Sequence, residues 1–245
     1  MAVLVTRPHP DGEATAETLR ARGFEVLLAP MLQVEQVAFH DDAEARYDAV
    51  IVTSANALRA IAHELEGSRI LKLPLFAVGE HTAATARDAG FAAVISAKGD
   101  AEALRKLLLA RVKARQLKKS ATLLYLAGAE LARDLAAELG EKGFTVITRT
   151  TYRMVPVSRL PQEVCDAFMA HRIKAVLHYS RRSARAFLDA ARTGGVEISA
   201  LALPQCCISA SVAAILHDAG ATQVMTAASP DEKALLEALA RALRV

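Results

Sequence analysis

The chain has 245 residues, 53% hydrophobic and 23% charged, with a formal net charge of +3 at pH 7. That length and balance describe a globular protein with room for one large domain or two medium ones, and exclude a disordered or fibrous chain. The basic residues are scattered rather than striped, which argues against nucleic-acid binding, and no run approaches the roughly 18 apolar residues of a membrane helix.

The first eight residues, Met-Ala-Val-Leu-Val-Thr-Arg-Pro, read as a strand and not as a signal peptide, since they carry no basic leader and no small-residue cleavage site. Short apolar runs then alternate with helical patterns along the whole length, the signature of parallel βα units. Strands are expected at Val3–Thr6, Phe24–Leu28, Ala49–Val52, Leu75–Val78 and Ala92–Ile95. Five more are expected at Leu123–Leu126, Thr145–Thr148, Ala175–His178, Cys206–Ser209 and Gln223–Thr226. Amphipathic helices lie between most of them, as at Gly12–Arg22 and Ala101–Lys113. A last helix is expected to open at Ser229-Pro-Asp-Glu232, with Ser229 as cap, Pro230 first in the helix and Glu232 closing a capping box. Cys165, Cys206 and Cys207 are odd in number, and the adjacent pair points to opposite faces of a strand, which suits core thiols in a reducing cytoplasm.

The ten strands are also two sets of five. Val3-Leu-Val-Thr with Arg22-Gly-Phe matches Leu123-Leu-Tyr-Leu with Lys142-Gly-Phe, at an offset of 120 residues. Asp48-Ala-Val-Ile-Val-Thr-Ser54 matches Lys174-Ala-Val-Leu-His-Tyr-Ser180 at 126, and Asp88-Ala-Gly matches Asp218-Ala-Gly at 130. Three matches in one order, drifting in one direction, indicate a duplicated unit with small loop insertions. The pieces pair either contiguously or by exchange. Two extended connectors, Leu32–Val37 and Tyr152–Val157, sit at the same offset and favour exchange, with the connectors running side by side.

In open parallel sheets ligands bind beyond the carboxyl ends of the strands, where helix N-termini present free amides. Those positions hold Thr6-Arg7, Thr53-Ser54, Gly79-Glu-His-Thr82, Gly128, Ser180-Arg-Arg-Ser183 and Ser209-Ala-Ser211. Small, hydroxylated and basic groups suit anions, although such Ser and Thr also serve simply as helix caps. His63, His171 and His217 read as helix-surface residues; no metal-ligand spacing occurs, and no glycine loop of a nucleotide site or Gly-x-Ser-x-Gly elbow is present.

Leu4-Val-Thr-Arg-Pro8, Asp48-Ala-Val-Ile-Val-Thr-Ser-Ala-Asn56 and Ala77-Val-Gly-Glu-His-Thr-Ala83 resemble the uroporphyrinogen-III synthase family. So do Gly143-Phe-Thr-Val, Thr151-Tyr-Arg153 and the closing Ala228-Ser-Pro, and the likeness covers nearly the full length. The resemblance implies an α/β fold of two flavodoxin-like domains with parallel five-stranded sheets, joined by a two-stranded β-ladder and enclosing an interdomain cleft. The expected domains are 1–34 with 158–245, and 38–151, with 31–38 and 151–158 as the ladder.

It further implies a cytoplasmic, monomeric enzyme that needs no cofactor or metal. Its substrate is hydroxymethylbilane, a linear tetrapyrrole with eight carboxylates. Loss of the terminal hydroxyl gives an azafulvene cation; ring D then closes inverted, through a spiro intermediate, to uroporphyrinogen III. Tyr152 takes the place of the family's cleft tyrosine and would donate a hydrogen bond or proton to the departing hydroxyl. Arg7, Ser54, Thr82, His81, Ser180, Arg181 and Ser211 would face the carboxylates. Each carboxylate at an exposed helix N-terminus gains about 0.3–1 kcal/mol, so many such contacts hold the substrate without a strongly basic protein. The family often has Ser-Pro-Ser where this chain has Ser180-Arg-Arg-Ser183, and glycine in place of Ser209. The alternative reading is a non-catalytic two-domain binder of an anionic small molecule, or an inactive homologue.

Overall fold

The computed structural model describes residues 2–42, 44–131 and 133–243; the end positions 1, 244 and 245 of the expected first domain, and positions 43 and 132 of the second, lie outside it. The chain runs β1 (Ala2–Val5), α1 (Asp11–Ala21), β2 (Glu25–Leu28), β3 (Leu32–Gln36), β4 (Ala49–Val52), α2 (Ala55–Arg59), α3 (Ala62–Leu65), β5 (Pro74–Ala77), α4 (Glu80–Asp88), β6 (Ala93–Ser96) and α5 (Ala101–Lys113). It continues with β7 (Thr122–Gly128), α6 (Leu135–Gly140), β8 (Thr145–Pro156), α7 (Gln162–Met169), β9 (Ile173–His178), α8 (Arg181–Thr193), α9 (Glu197–Leu201), β10 (Gln205–Cys207), α10 (Ala210–Asp218), β11 (Val224–Thr226) and α11 (Glu232–Leu243). Two compact units result: Met1–Gln33 with Val155–Val245, and Val34–Met154.

The first unit holds a five-stranded parallel sheet ordered β11-β10-β9-β1-β2. This is the flavodoxin winding, in which the first strand is central and the chain reverses direction between its first and third strands. Both faces of the sheet are covered, so β1 is buried at all four positions. Cys207 packs with Phe168 and Phe187 on one face and Cys206 with Leu235 and Leu239 on the other. The alternation of a strand puts the two thiols on opposite sides.

The second unit repeats the winding with its halves in the other chain order. Its sheet runs β3-β8-β7-β4-β5-β6, and β7-β8 stand where β1-β2 stand in the first unit. The five strands from β8 to β6 are parallel. β3 runs antiparallel to β8: the Val37 N–H donates to the Thr151 carbonyl (2.9 Å) and the Val157 N–H to the Met31 carbonyl (3.0 Å). The ladder is thus not separate from the sheet. One strand of twelve residues carries both, which makes the sheet six-stranded and mixed.

The duplicated Gly motifs are helix stops. At Gly23, Gly90, Gly143 and Gly220 φ is +84°, +95°, +99° and +90°. In each case the next residue's N–H bonds to the carbonyl five positions back, as Phe24 to Leu19 and Phe144 to Leu139. These are Schellman motifs, and the left-handed residue they require is cheapest as glycine. Nothing lies within 4 Å of the place a Cβ would take at Gly23. Gly23→Ala therefore isolates the backbone cost, an expected loss of about 1 kcal/mol in urea unfolding.

Two expectations are corrected. The last helix begins at Glu232 and is capped by Asp231, whose Oδ1 accepts the Ala234 N–H at 2.9 Å; Pro230 stays outside. The Asp231 carboxyl is held below its usual range by the Ser229 hydroxyl and then by the Ala234 amide. Glu232 does not close a capping box but turns toward α1. His171 is not on a helix; it follows α7 in a left-handed turn, φ +54°. Among the described residues no helix is long and apolar enough to cross a membrane. Nor do three or more His, Cys, Asp or Glu gather as metal ligands among them.

Candidate active site

In the second unit the winding reverses between β7 and β4, and the crevice beyond their carboxyl ends is where such folds place ligands. A cavity of about 400 Å³ opens there, lined by Thr53 after β4, Tyr125 and Gly128 of β7, Tyr152 of β8, and Asp100 and Arg133. Tyr125 is almost wholly buried, and its hydroxyl lies 2.9 Å from Thr53 Oγ1. Burial raises the Tyr125 pKa against the opposing effect of that hydrogen bond, so the phenol stays protonated. Asp100 caps α5 by accepting the Ala103 N–H at 3.0 Å, and that bond leads the causes that lower its carboxyl pKa. Arg133 grips Glu138 with Nε and a terminal nitrogen, so only part of its charge faces the cavity.

Tyr152 arrives because β8 continues past the point where the other strands stop. Thr151 beside it is buried and donates to the Ala57 carbonyl at 2.9 Å, which pins the strand against α2. Among the described residues the half-buried Tyr152 makes no side-chain hydrogen bond. Tyr152 lines the cavity with its hydroxyl end packed against Gly128.

The neighbouring strand ends, β4 and β5, gather three more of the expected residues. Ser54 caps α2, accepting the Asn56 N–H. The exposed His81 has Nε2 3.2 Å from an Arg59 guanidinium nitrogen, and that side chain also donates to Asn56 Oδ1. Thr82 lies in the first turn of α4 and is buried.

In the first unit the side chains around the corresponding strand ends, β1 and β9, bond to one another. Arg7 lies 3.1 Å from Asp11 and 3.5 Å from Glu232, with its guanidinium 4.7 Å from the centre of the Tyr179 ring. Glu232 Oε1 also accepts from Thr15 at 2.5 Å and from Tyr179 at 3.2 Å. Burial, ahead of the other influences, raises the Tyr179 pKa. One cation between two carboxylates leaves this cluster net negative. Ser180 caps α8 through the Ser183 N–H at 3.0 Å, Arg181 is exposed in its first turn, and Ser211 is exposed beside Ser209.

Residues 13–237 match the family model described as uroporphyrinogen-III synthase HemD. The chain belongs to the uroporphyrinogen-III synthase family. Among solved structures it is similar to the uroporphyrinogen-III synthetase of Helicobacter pylori, at 20% identity over 99% of each chain with a TM-score of 0.62. It is also similar to a mutant uroporphyrinogen III synthase of Thermus thermophilus, at 18% identity over 100% of this chain and 99% of that one, TM-score 0.51. At such identity these likenesses speak to the fold. No curated protein matches significantly.

Seen as a uroporphyrinogen-III synthase family member, the chain has two unlike crevices on one duplicated scaffold. Tyr152, Ser54, His81 and Thr82 fall in the open unit, the one with the cavity just described, while Arg7 is tied to Asp11 and Glu232 in the other. Tyr125, Asp100 and Arg133 are lining residues that the sequence reading does not single out. A hydroxylated aromatic inside the otherwise aliphatic run Leu123–Leu126 is the signal that could have found Tyr125. Asp100 and Arg133 reach the cavity from a helix cap and a loop and carry no such mark.

Proposed function

We propose that this chain is a uroporphyrinogen-III synthase, closing hydroxymethylbilane to uroporphyrinogen III with inversion of ring D. The reaction loses one water and consumes no other reactant, so the protein's work is to shape a flexible substrate and to help one hydroxyl leave. Tyr152 donates to that hydroxyl; as the carbon–oxygen bond breaks, the pair leaves with oxygen and the proton completes water. The cation left on the ring is then attacked by the substituted end of ring D. Helix N-termini behind Ser54, Gly79, Ser180 and Ser209, with His81, Arg181 and Ser211, take the carboxylates and orient the chain. Arg7, already shared by two carboxylates, holds its own loop in place instead.

The observation that carries this reading is Tyr152, which lines a cavity at the switch point of the open unit and whose hydroxyl has no hydrogen-bond partner among the described residues. The test is the product isomer formed from freshly generated hydroxymethylbilane. Type III product is expected, faster than unassisted closure. Only type I product, at the rate seen without protein, would return the chain to the binding-protein reading.

A further inference from the structure

We infer that Gly128 is a positioning residue that sets where the Tyr152 hydroxyl stands; this rests on the reading of Tyr152 as donor. The pairing of β7 with β8 is regular up to Ala127 opposite Thr150, then slips by one residue so that Gly128 faces Tyr152. The skipped residue, Thr151, turns its hydroxyl to the Ala57 and Ala127 carbonyls. A bulge of this kind re-aims the following side chain. The Ala129 N–H then locks the Tyr152 carbonyl at 2.8 Å.

The ring lies directly on the glycine. A Cβ at residue 128 would stand 2.7 Å from Cζ of Tyr152, 2.9 Å from its hydroxyl oxygen and 3.0 Å from Cε1. All three are atoms of the hydroxyl end of the ring. Even one methyl group therefore moves the reacting oxygen, while the Tyr152 backbone stays bonded. Residue 128 is not among the left-handed glycines, so alanine is compatible with its backbone and the contact alone requires glycine. The displaced ring has room to swing into the cavity, which localises the change and preserves the fold.

The experiment is a double-mutant cycle of Gly128→Ala and Tyr152→Phe, read by steady-state kinetics and by fluorine NMR of protein labelled with 3-fluorotyrosine. The chain has four tyrosines, so the Tyr152 resonance is assigned by its absence from Y152F. G128A is expected to shift that resonance and lower kcat by about tenfold or more, as a misplaced group does. KM should stay within about threefold, and in the Y152F background G128A should cost less than about twofold in kcat. An impaired Y152F with an unaffected G128A, or a G128A loss undiminished in the Y152F background, overturns the inference alone. A fully active Y152F overturns the donor assignment, and the inference with it.

Discussion

Replacing Tyr152 by Phe is expected to lower kcat about a hundredfold while KM changes by less than about threefold. The magnitude is that of removing a general acid, about 10²–10⁴-fold. The lower end applies because water in an open cavity can partly replace the phenol. Phe keeps the ring, so the contact with Gly128 and the apolar packing against the β4–β7 core persist. Because the Tyr152 side chain makes no hydrogen bond among the described residues, its hydroxyl can be removed without stranding a donor or acceptor. Unfolding midpoints of wild type and variant should therefore coincide closely. Stopped-flow mixing with hydroxymethylbilane separates the turnover effect from binding. A weakened KM at unchanged kcat would make Tyr152 a contact for bound substrate and not a proton donor.

The fold is legible in the sequence because both sheets are sandwiched between helices. Strands buried on two faces, such as Ala49-Val-Ile-Val52 and Val3-Leu-Val5, become short apolar runs that stand out from their polar flanks. Their observed ends fall within a residue or two of those expected, except where a strand is half exposed. β8 is the instructive case. Arg149, Thr150 and Arg153 interrupt its apolar pattern, so it reads as a strand and a separate linker, though the backbone is continuous. The Schellman glycines and the two-faced cysteine pair are local features, and local features are readable.

Contacts between distant segments are not. Thr15 and Glu232 are 217 positions apart, and near Glu232 the sequence shows only a plausible capping box. The carboxylate instead answers Arg7, Thr15 and Tyr179, which no short-range pattern encodes. The same holds in the open unit, where a helix cap, a loop arginine and a strand tyrosine converge on one cavity. Strand-end position marked Ser54 and His81 as neighbours of a crevice, and the family resemblance alone marked Tyr152. Only packing tells that a cavity opens at one of the duplicated switch points and that an ion network gathers at the other.

Acid should destabilise this protein through His178, with about 2 kcal/mol of stability lost between pH 7 and pH 5. His178 is fully buried at the end of β9, with its ring edge-on to Phe187 at 5.2 Å. Gln205 fixes its tautomer. The amide nitrogen of Gln205 donates to the carbonyls of Ala200 (2.7 Å) and Leu203 (2.9 Å), so its oxygen accepts from His178 Nε2 at 2.9 Å. Nδ1 is left a bare lone pair without a partner among the described residues. Protonation would bury a charge and add an N–H with no acceptor. Desolvation accordingly depresses the pKa from 6.5 to about 4, against the smaller opposing pull of Gln205. The folded state thus binds fewer protons than the unfolded state between those values. Stability is untouched above the unfolded pKa, falls as pH drops below it, and levels off below the folded pKa after a total loss of about 3 kcal/mol. His178→Gln keeps a donor near the Nε2 position and removes the titration. Its urea midpoints should be lower than wild type at pH 7, from imperfect packing against Phe187, yet decline far less toward pH 5. Parallel declines in the two proteins would mean that His178 charges without cost in the folded state, and its burial would then carry no pH dependence.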